Sequence, residues 1–419
     1  MNAAERTYAR ERFRQLFAEL GAIGLAADGS TTRLAWTAEA AAAAQWFDST
    51  ARALGLAPER DRHGNQWAWL GEPGPGAIVT GSHSDSVRAG GRFDGALGVV
   101  AGFVAVEVLA RRGGTRRPLA VVSFADEEGG RFDTPTFGSR LLCGALEIAS
   151  VSERRDRDGV TLRAALEQAG LDVDAMGADP ERLSRIAALV ELHIEQDTLL
   201  GRLDAPLALG TQILPHGRWR FELRGEAGHA GTTPMAERRD PMQALAAAIT
   251  MARRAAVELG ALATVGRLEV SPGATNAIPE RVTLWLDVRA EQEAAIDVVL
   301  ERTTAAAQAA AAANGVELET RRESFTAAVR FSPRLRARVA SVLAAHGIAD
   351  VPMATGAGHD AGALADAIPT AMLFVRSANG ASHSPRELAS VEDCLTGIGA
   401  LTEVLAELAN EETGVDGDG

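Results

Sequence analysis

The sequence predicts an α/β protein that carries a smaller inserted α+β unit. One observation is a set of short apolar runs, partly β-branched, that stop at glycine or polar residues as buried strands of an open α/β sheet do. These runs are residues 77–80, 119–125, 186–192 and 371–375. A second observation is that two alternating, strand-like runs are each followed by stretches of strong helix formers. These strand and helix pairs are 217–224 with 241–252, and 281–289 with 305–313. At 419 residues and 46% hydrophobic content, the chain is long enough for two domains.

Composition narrows the functional classes. The formal net charge of −14 argues against a nucleic-acid partner, because phosphate backbones require clustered basic residues. The chain begins without an apolar core of signal-peptide type, and no apolar run approaches membrane-spanning length. Cys143 and Cys394 are too few and too isolated for a disulfide scaffold or a thiolate metal site. We therefore expect a cytoplasmic protein with reduced cysteines and, at residues 410–419, a disordered tail.

A histidine and two acids follow the first apolar run. His83 should lie at the edge where parallel strands end, which is where open α/β sheets place their chemistry. Asp85, two residues on and on the same face of an extended chain, can hold the second ring nitrogen of His83. Asp94 then enters from the glycine-rich turn 90–95 as a second metal ligand. A His-x-Asp pattern alone equally fits a solvated loop of small residues.

Three consecutive acids follow the second apolar run, at Asp126, Glu127 and Glu128. Adjacent carboxylates repel each other unless a positive group separates their roles. One can coordinate a metal while its neighbour, pointing the other way, accepts a proton from water. We assign Glu128 to the metal and Glu127 to the general base.

Histidines follow the two remaining apolar runs. His193 comes directly after 186–192, and His383 lies in a loop after 371–375. A single histidine is more often a packed or surface residue than a ligand. Four separate placements at strand ends make coincidence a poor explanation, and the sequence therefore predicts a metal site.

These motifs, in this order and over nearly the whole chain, resemble the di-metal amidohydrolase family of allantoate amidohydrolase, N-carbamoyl-L-amino-acid hydrolase and β-ureidopropionase. The resemblance implies that one metal is held by His83, Asp94 and His193. It implies that the other is held by Asp94, Glu128 and His383, so that Asp94 bridges the two ions. Carboxylate and imidazole ligands without thiolates suit zinc or manganese, between which the sequence does not choose.

The resemblance also implies a fold. The catalytic domain would be zinc-peptidase-like, with a mixed sheet flanked by helices, formed by residues 1–212 and 325–419. The inserted α+β domain, 213–324, would be a lid that also forms the interface of a homodimer. Within it, His229 matches the histidine that stabilises the oxyanion, often across the dimer. Asn276 and Arg289 match positions that bind a substrate carboxylate, which a guanidinium holds through two parallel hydrogen bonds.

The implied reaction is attack of water on a ureido carbonyl of a small anionic substrate, with Glu127 and His229 assisting. His216, where many N-carbamoyl-amino-acid hydrolases carry glutamine, favours the bacterial allantoate amidohydrolase branch. It could bond the substrate carboxylate or the second ureido arm, or simply begin a strand. The family pattern is also broken at four places, which affects the substrate rather than the ligands. These departures are Ser84, Arg88, Asp197 and Arg376.

Three other functions remain open. Hydrolysis of an N-carbamoyl-L-amino acid, or a β-ureidopropionase-like reaction, would use the same site. A peptidase or aminoacylase is disfavoured, because the family's peptidases usually carry an acid where His193 stands. A binding protein with a decayed site should lack a ligand or the base, and none is missing.

Overall fold

The structure is a computed structural model that describes residues 1–411. The chain forms two compact units, which we call the larger unit (Met1–Thr211 and the chain from Arg330 onward) and the inserted unit (Gln212–Val329). The boundaries between the two units fall after residues 211 and 329, whereas the sequence analysis expected them after residues 212 and 324. From residue 412 onward, the tail expected to be disordered lies outside the described residues.

Fifteen strands and twelve α-helices are interspersed along residues 1–411. The strands are β1 (Ala57–Arg60), β2 (Gln66–Leu70), β3 (Ala77–His83), β4 (Leu119–Phe124), β5 (Ile186–Ile194), β6 (Leu207–Ile213), β7 (His216–Arg224), β8 (Gly228–His229), β9 (Leu262–Ser271), β10 (Ala277–Ile278), β11 (Arg281–Arg289), β12 (Glu317–Thr326), β13 (Val329–Arg330), β14 (Pro352–Thr355) and β15 (Thr370–Val375). The helices are α1 (Ala3–Gly21), α2 (Ala38–Ala53), α3 (Ala96–Arg111), α4 (Phe137–Cys143), α5 (Leu162–Gln168), α6 (Pro180–Ser184), α7 (Leu199–Leu203), α8 (Pro241–Leu259), α9 (Glu293–Ala313), α10 (Pro333–Ala345), α11 (Asp360–Ala363) and α12 (Val391–Asn410).

The main sheet has the strand order β1-β2-β4-β3-β5-β15-β6-β13, and β14 pairs with β6. Strands β4, β3, β5 and β15 are neighbours and run parallel. Strands β2 and β6 border this group and run antiparallel to it. The sheet is therefore mixed, as expected, and four parallel strands bring their carboxyl ends to the same edge.

The core of the larger unit explains why these runs are strands. Every residue of β3, β4 and β15 is buried, as continuous apolar runs in parallel sheets require. Helix α3 is apolar on nearly all sides, and it is buried between the sheet and the helices α1 and α12. A second, smaller core forms around α4 and α5.

The inserted unit is a four-stranded antiparallel sheet in the order β12-β7-β11-β9, with α8 and α9 packed together and against it. Buried alanines line the contact between these helices and the sheet, which allows close packing. They include Ala244, Ala248, Ala252, Ala307 and Ala311. The predicted strand 281–289 has the bounds of β11, and the predicted helices 241–252 and 305–313 are parts of the longer α8 and α9.

Two further expectations concern membrane-spanning segments and the cysteines. No helix among residues 1–411 is long and apolar enough to cross a membrane. Cys143 and Cys394 are both free thiols, the first partly buried and the second buried.

Candidate metal centre

The parallel strands bring the predicted ligands together at one edge of the main sheet. His83 is the last residue of β3, and His193 is the penultimate residue of β5, so both belong to strands rather than to the loops after them. Glu128 follows β4, and His383 follows β15. The sequence-distant motifs therefore meet because β4, β3, β5 and β15 are adjacent.

Asp94 lies at the centre of this cluster. Its Oδ1 is 3.1 Å from His193 Nε2 and 3.5 Å from His83 Nε2. Its Oδ2 is 3.4 Å from His383 Nε2, which in turn is 3.2 Å from Glu128 Oε2. The five expected ligands thus form two groups that share Asp94, and within each group the ligand atoms lie within 4.8 Å of one another.

Backbone geometry places Asp94 close to the histidines. Gly95, which precedes α3, has φ +64°, and a Cβ there would lie 2.4 Å from the His83 ring. Only glycine meets both demands, because it has no Cβ and adopts positive φ without strain. His383 also has a positive φ of 51°, a conformation that costs energy for a residue with a side chain.

Asp85 contacts both His83 and the turn that carries Glu127 and Glu128. Nδ1 of His83 lies 3.2 Å from the Asp85 backbone carbonyl and 3.5 Å from its carboxylate. The carboxylate also accepts backbone N–H bonds from Glu127 at 3.2 Å and Glu128 at 3.1 Å. Asp85 therefore holds the acidic turn as well as the histidine, and the sequence pattern indicated only the histidine contact.

Glu127, the residue predicted to be the general base, lies beside His83. Its side chain is buried, and its Oε2 lies 3.7 Å from His83 Nε2. It belongs to neither ligand group, whereas Glu128 belongs to one. The preceding acid, Asp126, is buried in a left-handed conformation with φ 52° and takes no part in the ligand groups.

The electrostatics of the cluster are those of a cation site. Burial opposes protonation of His83, yet the Glu127 carboxylate and the neighbouring acids hold its pKa well above the usual value. Hydrogen bonding to Asp94 and Glu128 raises the pKa of His383 to about 10. Burial raises the pKa of Glu127 well above its usual value. The acids thus create a strongly negative local potential, which a divalent cation would neutralise.

The donor set also fits a divalent ion. His193 donates from Nδ1 to the Ile194 carbonyl at 2.9 Å, which leaves Nε2 facing Asp94. Such a hydrogen bond to the second ring nitrogen is typical of a metal-binding histidine. Oε1 of Glu128 is buried without a hydrogen-bond partner in the described part of the chain, so an oxygen remains for coordination. Imidazole and carboxylate ligands of this kind suit zinc or manganese.

Three residues at the cluster were not singled out from the sequence. Gln196 donates to Asp94 Oδ2 at 3.0 Å and to Ser382 at 2.9 Å. His359 packs edge-on against the His193 ring, with centroids 4.5 Å apart. Glu387 binds the turn that carries Asp94. The sequence alone did not indicate these contacts, because the partners lie on distant segments of the chain.

In the inserted unit, two predicted substrate ligands are neighbours. His216 and Arg289 are directly paired across β7 and β11. Nδ1 of His216 lies 3.3 Å from the Leu214 carbonyl, so this nitrogen donates and Nε2 of the neutral ring is an acceptor. Arg289 donates from Nε to Asp287 at 3.0 Å.

The other two predicted residues form a second pair in the inserted unit. His229, in β8, is paired with Ala277 of β10, and the Asn276 carbonyl accepts the N–H of Ala230 at 3.0 Å. Nδ1 of His229 accepts the N–H of Gly231 at 3.2 Å, so in the neutral ring the proton lies on Nε2. The exposed His229 side chain can therefore donate a hydrogen bond.

Two departures from the family pattern have partners in the larger unit. Arg376 donates two hydrogen bonds to Asp393, at 3.0 and 3.1 Å, and one to Asp204 at 2.8 Å. Ser84 accepts a hydrogen bond from Ser123 at 3.1 Å. Both contacts are structural, and neither residue belongs to a ligand group.

Comparison with known proteins assigns the class. The model of peptidase family M20/M25/M40 matches residues 73–407, so the chain belongs to this family. It is 38% identical over 409 residues to the N-carbamoyl-L-amino acid amidohydrolase of Geobacillus stearothermophilus, covering 96% of this chain and 99% of the relative. It is 33% identical over 395 residues to the allantoate amidohydrolase of Bacillus subtilis (strain 168), covering 93% and 95%.

A solved structure extends the comparison to the fold. A hydantoinase/carbamoylase-family amidase from Burkholderia multivorans superimposes with a TM-score of 0.87 at 29% identity, over 96% of this chain and 98% of that one. The predicted fold class and family are thus confirmed. The protein is an amidohydrolase of the carbamoylase and allantoate amidohydrolase group, and its histidine and carboxylate cluster suits a divalent metal.

Proposed function

We propose that the protein hydrolyses a ureido C–N bond of a small carboxylate substrate, namely allantoate, to ureidoglycine, ammonia and carbon dioxide. The cluster around Asp94 supports two ion sites, because two ligand groups share this one carboxylate. Divalent ions bound there, zinc or manganese, would lower the pKa of the attacking water and polarise the ureido carbonyl.

The protein's own residues would move the proton and hold the developing charge. Glu127, buried 3.7 Å from His83 and outside both ligand groups, takes the proton of the attacking water and returns it to the departing nitrogen. His229 donates from Nε2 to the carbonyl oxygen as that atom becomes negative. Arg289 and Asn276 bind the substrate carboxylate.

The observation that favours allantoate is the contact between His216 Nδ1 and the Leu214 carbonyl, at 3.3 Å. Because its Nδ1 donates to a backbone carbonyl, its Nε2 accepts hydrogen bonds in the neutral ring. A ureido NH₂ is a donor and suits this nitrogen, whereas a carboxylate is an acceptor. Allantoate presents a second ureido arm beside its carboxylate. His216 and Arg289, which are paired across two strands, would bind these two groups together.

The test is ammonia release by protein loaded with Zn²⁺ or Mn²⁺, offered allantoate and, separately, a panel of N-carbamoyl-L-amino acids. Each assay has a chelator control. Release from allantoate that the chelator abolishes is the expected result. A His216→Ala variant should lose activity toward allantoate while binding metal as the wild type does. No ammonia release from allantoate, together with release from the carbamoyl panel, would overturn the substrate assignment without contradicting the proposed metal site.

A second candidate is hydrolysis of an N-carbamoyl-L-amino acid. The 38% identity to the Geobacillus stearothermophilus carbamoylase over nearly the full chain favours it. This substrate has one ureido group, so His216 would not face a second ureido arm. Substitution of His216 by alanine should then leave turnover of the preferred carbamoyl amino acid largely unchanged, which distinguishes the two candidates.

The assignment of the two adjacent glutamates has its own test. Glu127→Gln should retain both metal ions and lose activity, whereas Glu128→Gln should bind metal more weakly because it removes a ligand oxygen. Metal content is measured by elemental analysis after gel filtration. Loss of metal in Glu127→Gln at the level seen for Glu128→Gln would show that the roles are reversed.

We also propose that the protein is a homodimer that joins through the inserted unit. Strand β9 is an edge of the four-stranded sheet, so one side of its backbone can pair with a second strand. Large exposed apolar side chains lie on β9 and on α8, which contacts it. They are Ile249, Val257, Leu262 and Leu268. A second copy of this chain would cover both the strand edge and these side chains.

The oligomeric state in solution tests the dimer. Val257 and Leu262 are 71% and 63% exposed, so replacing both by lysine should not disturb the fold of the monomer. The double variant is expected to be monomeric by light scattering. The matched control is Leu203→Lys, at an exposed position of the larger unit (55%), which should remain dimeric. A monomeric wild type, or a dimeric double variant, would contradict the proposal.

A further inference from the structure

Glu387 binds the turn that carries the shared ligand. Its Oε2 accepts two backbone hydrogen bonds, from Phe93 at 2.8 Å and from Asp94 at 3.0 Å. The residue is 5% exposed, and its other oxygen, Oε1, is buried and has no hydrogen-bond partner among residues 1–411. Two bonds to one carboxylate oxygen fix the direction of both peptide groups, and therefore the position from which the Asp94 side chain projects.

The turn is shaped to admit this carboxylate. A Cβ added to Gly91 would lie 2.1 Å from Glu387 Oε2 and 2.7 Å from Glu387 Cβ. Real side chains do not tolerate such contacts, so an alanine at this position would displace Glu387. Gly91 thus provides the space in which Glu387 approaches the backbone of residues 93 and 94.

Glu387 also belongs to the loop that carries His383. Its own N–H donates to the Ser384 carbonyl at 3.0 Å, and the neighbouring Leu388 carbonyl accepts the N–H of Ala378 at 2.7 Å. The loop is therefore held at Glu387 by its own backbone. The same residue is bonded to the Asp94 turn, which lies 293 residues earlier in the chain.

We infer that Glu387 is a positioning residue. By binding the Asp94 turn, it connects the His383 loop to that turn and keeps the ligands of the two segments at fixed relative positions. The inference rests on the proposed metal site. Glu387 is not a ligand and does not belong to either ligand group. Its role is to fix the Asp94 carboxylate between His83 and His193 on one side and His383 on the other.

Three substitutions separate this role from a general effect on folding. Glu387→Ala removes the acceptor, and Gly91→Ala leaves the carboxylate in the protein but displaces it. Glu387→Gln keeps an oxygen at the Oε2 position, and its amide nitrogen replaces Oε1, which no described residue contacts by a hydrogen bond. Because residues that orient metal ligands contribute about 10- to 100-fold to metal affinity, both alanine variants should weaken Zn²⁺ binding by that factor. The glutamine variant should stay close to the wild type.

A matched control is Asp156, whose carboxylate likewise accepts two backbone N–H groups, from Asp158 at 3.0 Å and Val160 at 2.9 Å. Asp156→Ala removes this pair of bonds, together with an ion pair to Arg131 Nε at 2.9 Å, from a turn that carries no proposed ligand. It should lower stability while leaving the affinity for Zn²⁺ unchanged.

Zn²⁺ affinity is measured by competition with a chromophoric chelator, using full-length protein whose fold is checked by circular dichroism. Weak binding in both alanine variants, with recovery in Glu387→Gln, supports the inference. Wild-type affinity in a folded Glu387→Ala or Gly91→Ala variant would overturn it, as would a loss in Glu387→Gln or Asp156→Ala equal to that in Glu387→Ala. If Glu387→Ala does not fold, the comparison of Gly91→Ala with Glu387→Gln decides. Failure of the wild type itself to bind Zn²⁺ would instead refute the proposed function.

Discussion

Replacement of Asp85 by alanine should affect both the stability of the larger unit and its metal site. The two oxygens of this buried carboxylate accept the N–H groups of Glu127 and Glu128, at 3.2 and 3.1 Å. The residue also contacts Nδ1 of His83. Alanine removes both acceptors, so two amides that the fold buries lose their partners.

The size of the effect follows from these contacts. A buried N–H that loses its acceptor costs about 1–3 kcal/mol, so the two together cost about 2–6 kcal/mol. Asp85 also lines a cavity of about 520 Å³, from which water can reach the vacated space. We therefore expect a loss near the lower end, about 2–3 kcal/mol, for Asp85→Ala. Asp85→Asn keeps one acceptor and should lose about half as much.

The assay is urea unfolding of the full chain in the presence of a chelator, so that bound metal does not contribute to stability. The midpoints should decrease in the order wild type, Asp85→Asn, Asp85→Ala, without a change in slope. Ser84→Ala is the control, because Ser84 lines the same cavity and its side chain has one hydrogen bond within residues 1–411, from Ser123. An Asp85→Ala midpoint no lower than that of Ser84→Ala would refute the reasoning.

Two further predictions concern parts of the larger unit away from the ligands. Hydrogen bonding from Arg112, together with the Met1 ammonium, lowers the pKa of Glu403 to about 2, while the His346 ring lies 3.9 Å away. A lowered pKa stabilises the fold above the ordinary value of 4.5, and this stability is lost as the pH falls toward 2. Glu403→Gln should therefore flatten the fall of the urea midpoint over that pH range, and an unchanged fall would contradict this origin. Gly138→Ala should destabilise the fold by about 1–3 kcal/mol and so lower its melting temperature. The reason is that the added Cβ would lie 2.0 Å from Oδ1 of Asn65, in the turn between β1 and β2. A wild-type melting temperature in that variant would show that the neighbouring turn adapts.

Local patterns in the sequence predicted much of the larger unit. Apolar runs ending at polar motifs predicted strands β3, β4, β5 and β15, and the order of the motifs predicted five metal ligands. These features are readable because a strand buried on both faces needs a continuous apolar run, and its end needs polar or glycine residues. The same patterns placed strand ends less well, since β3 continues through Gly81 to His83 and β5 continues through His193.

Only the tertiary structure decided which of these segments are neighbours. The order β4-β3-β5-β15 brings the ligands to one edge, and strand pairing sets His216 beside Arg289. The bonds from Glu387 to the turn of Asp94 join segments almost 300 residues apart. Such contacts depend on how the whole chain buries its apolar surface. For this protein, the sequence by itself determined the chemical groups and the strands that carry them, whereas the folded chain decided their partners, because hydrogen bonds between distant segments leave no periodic pattern along the sequence.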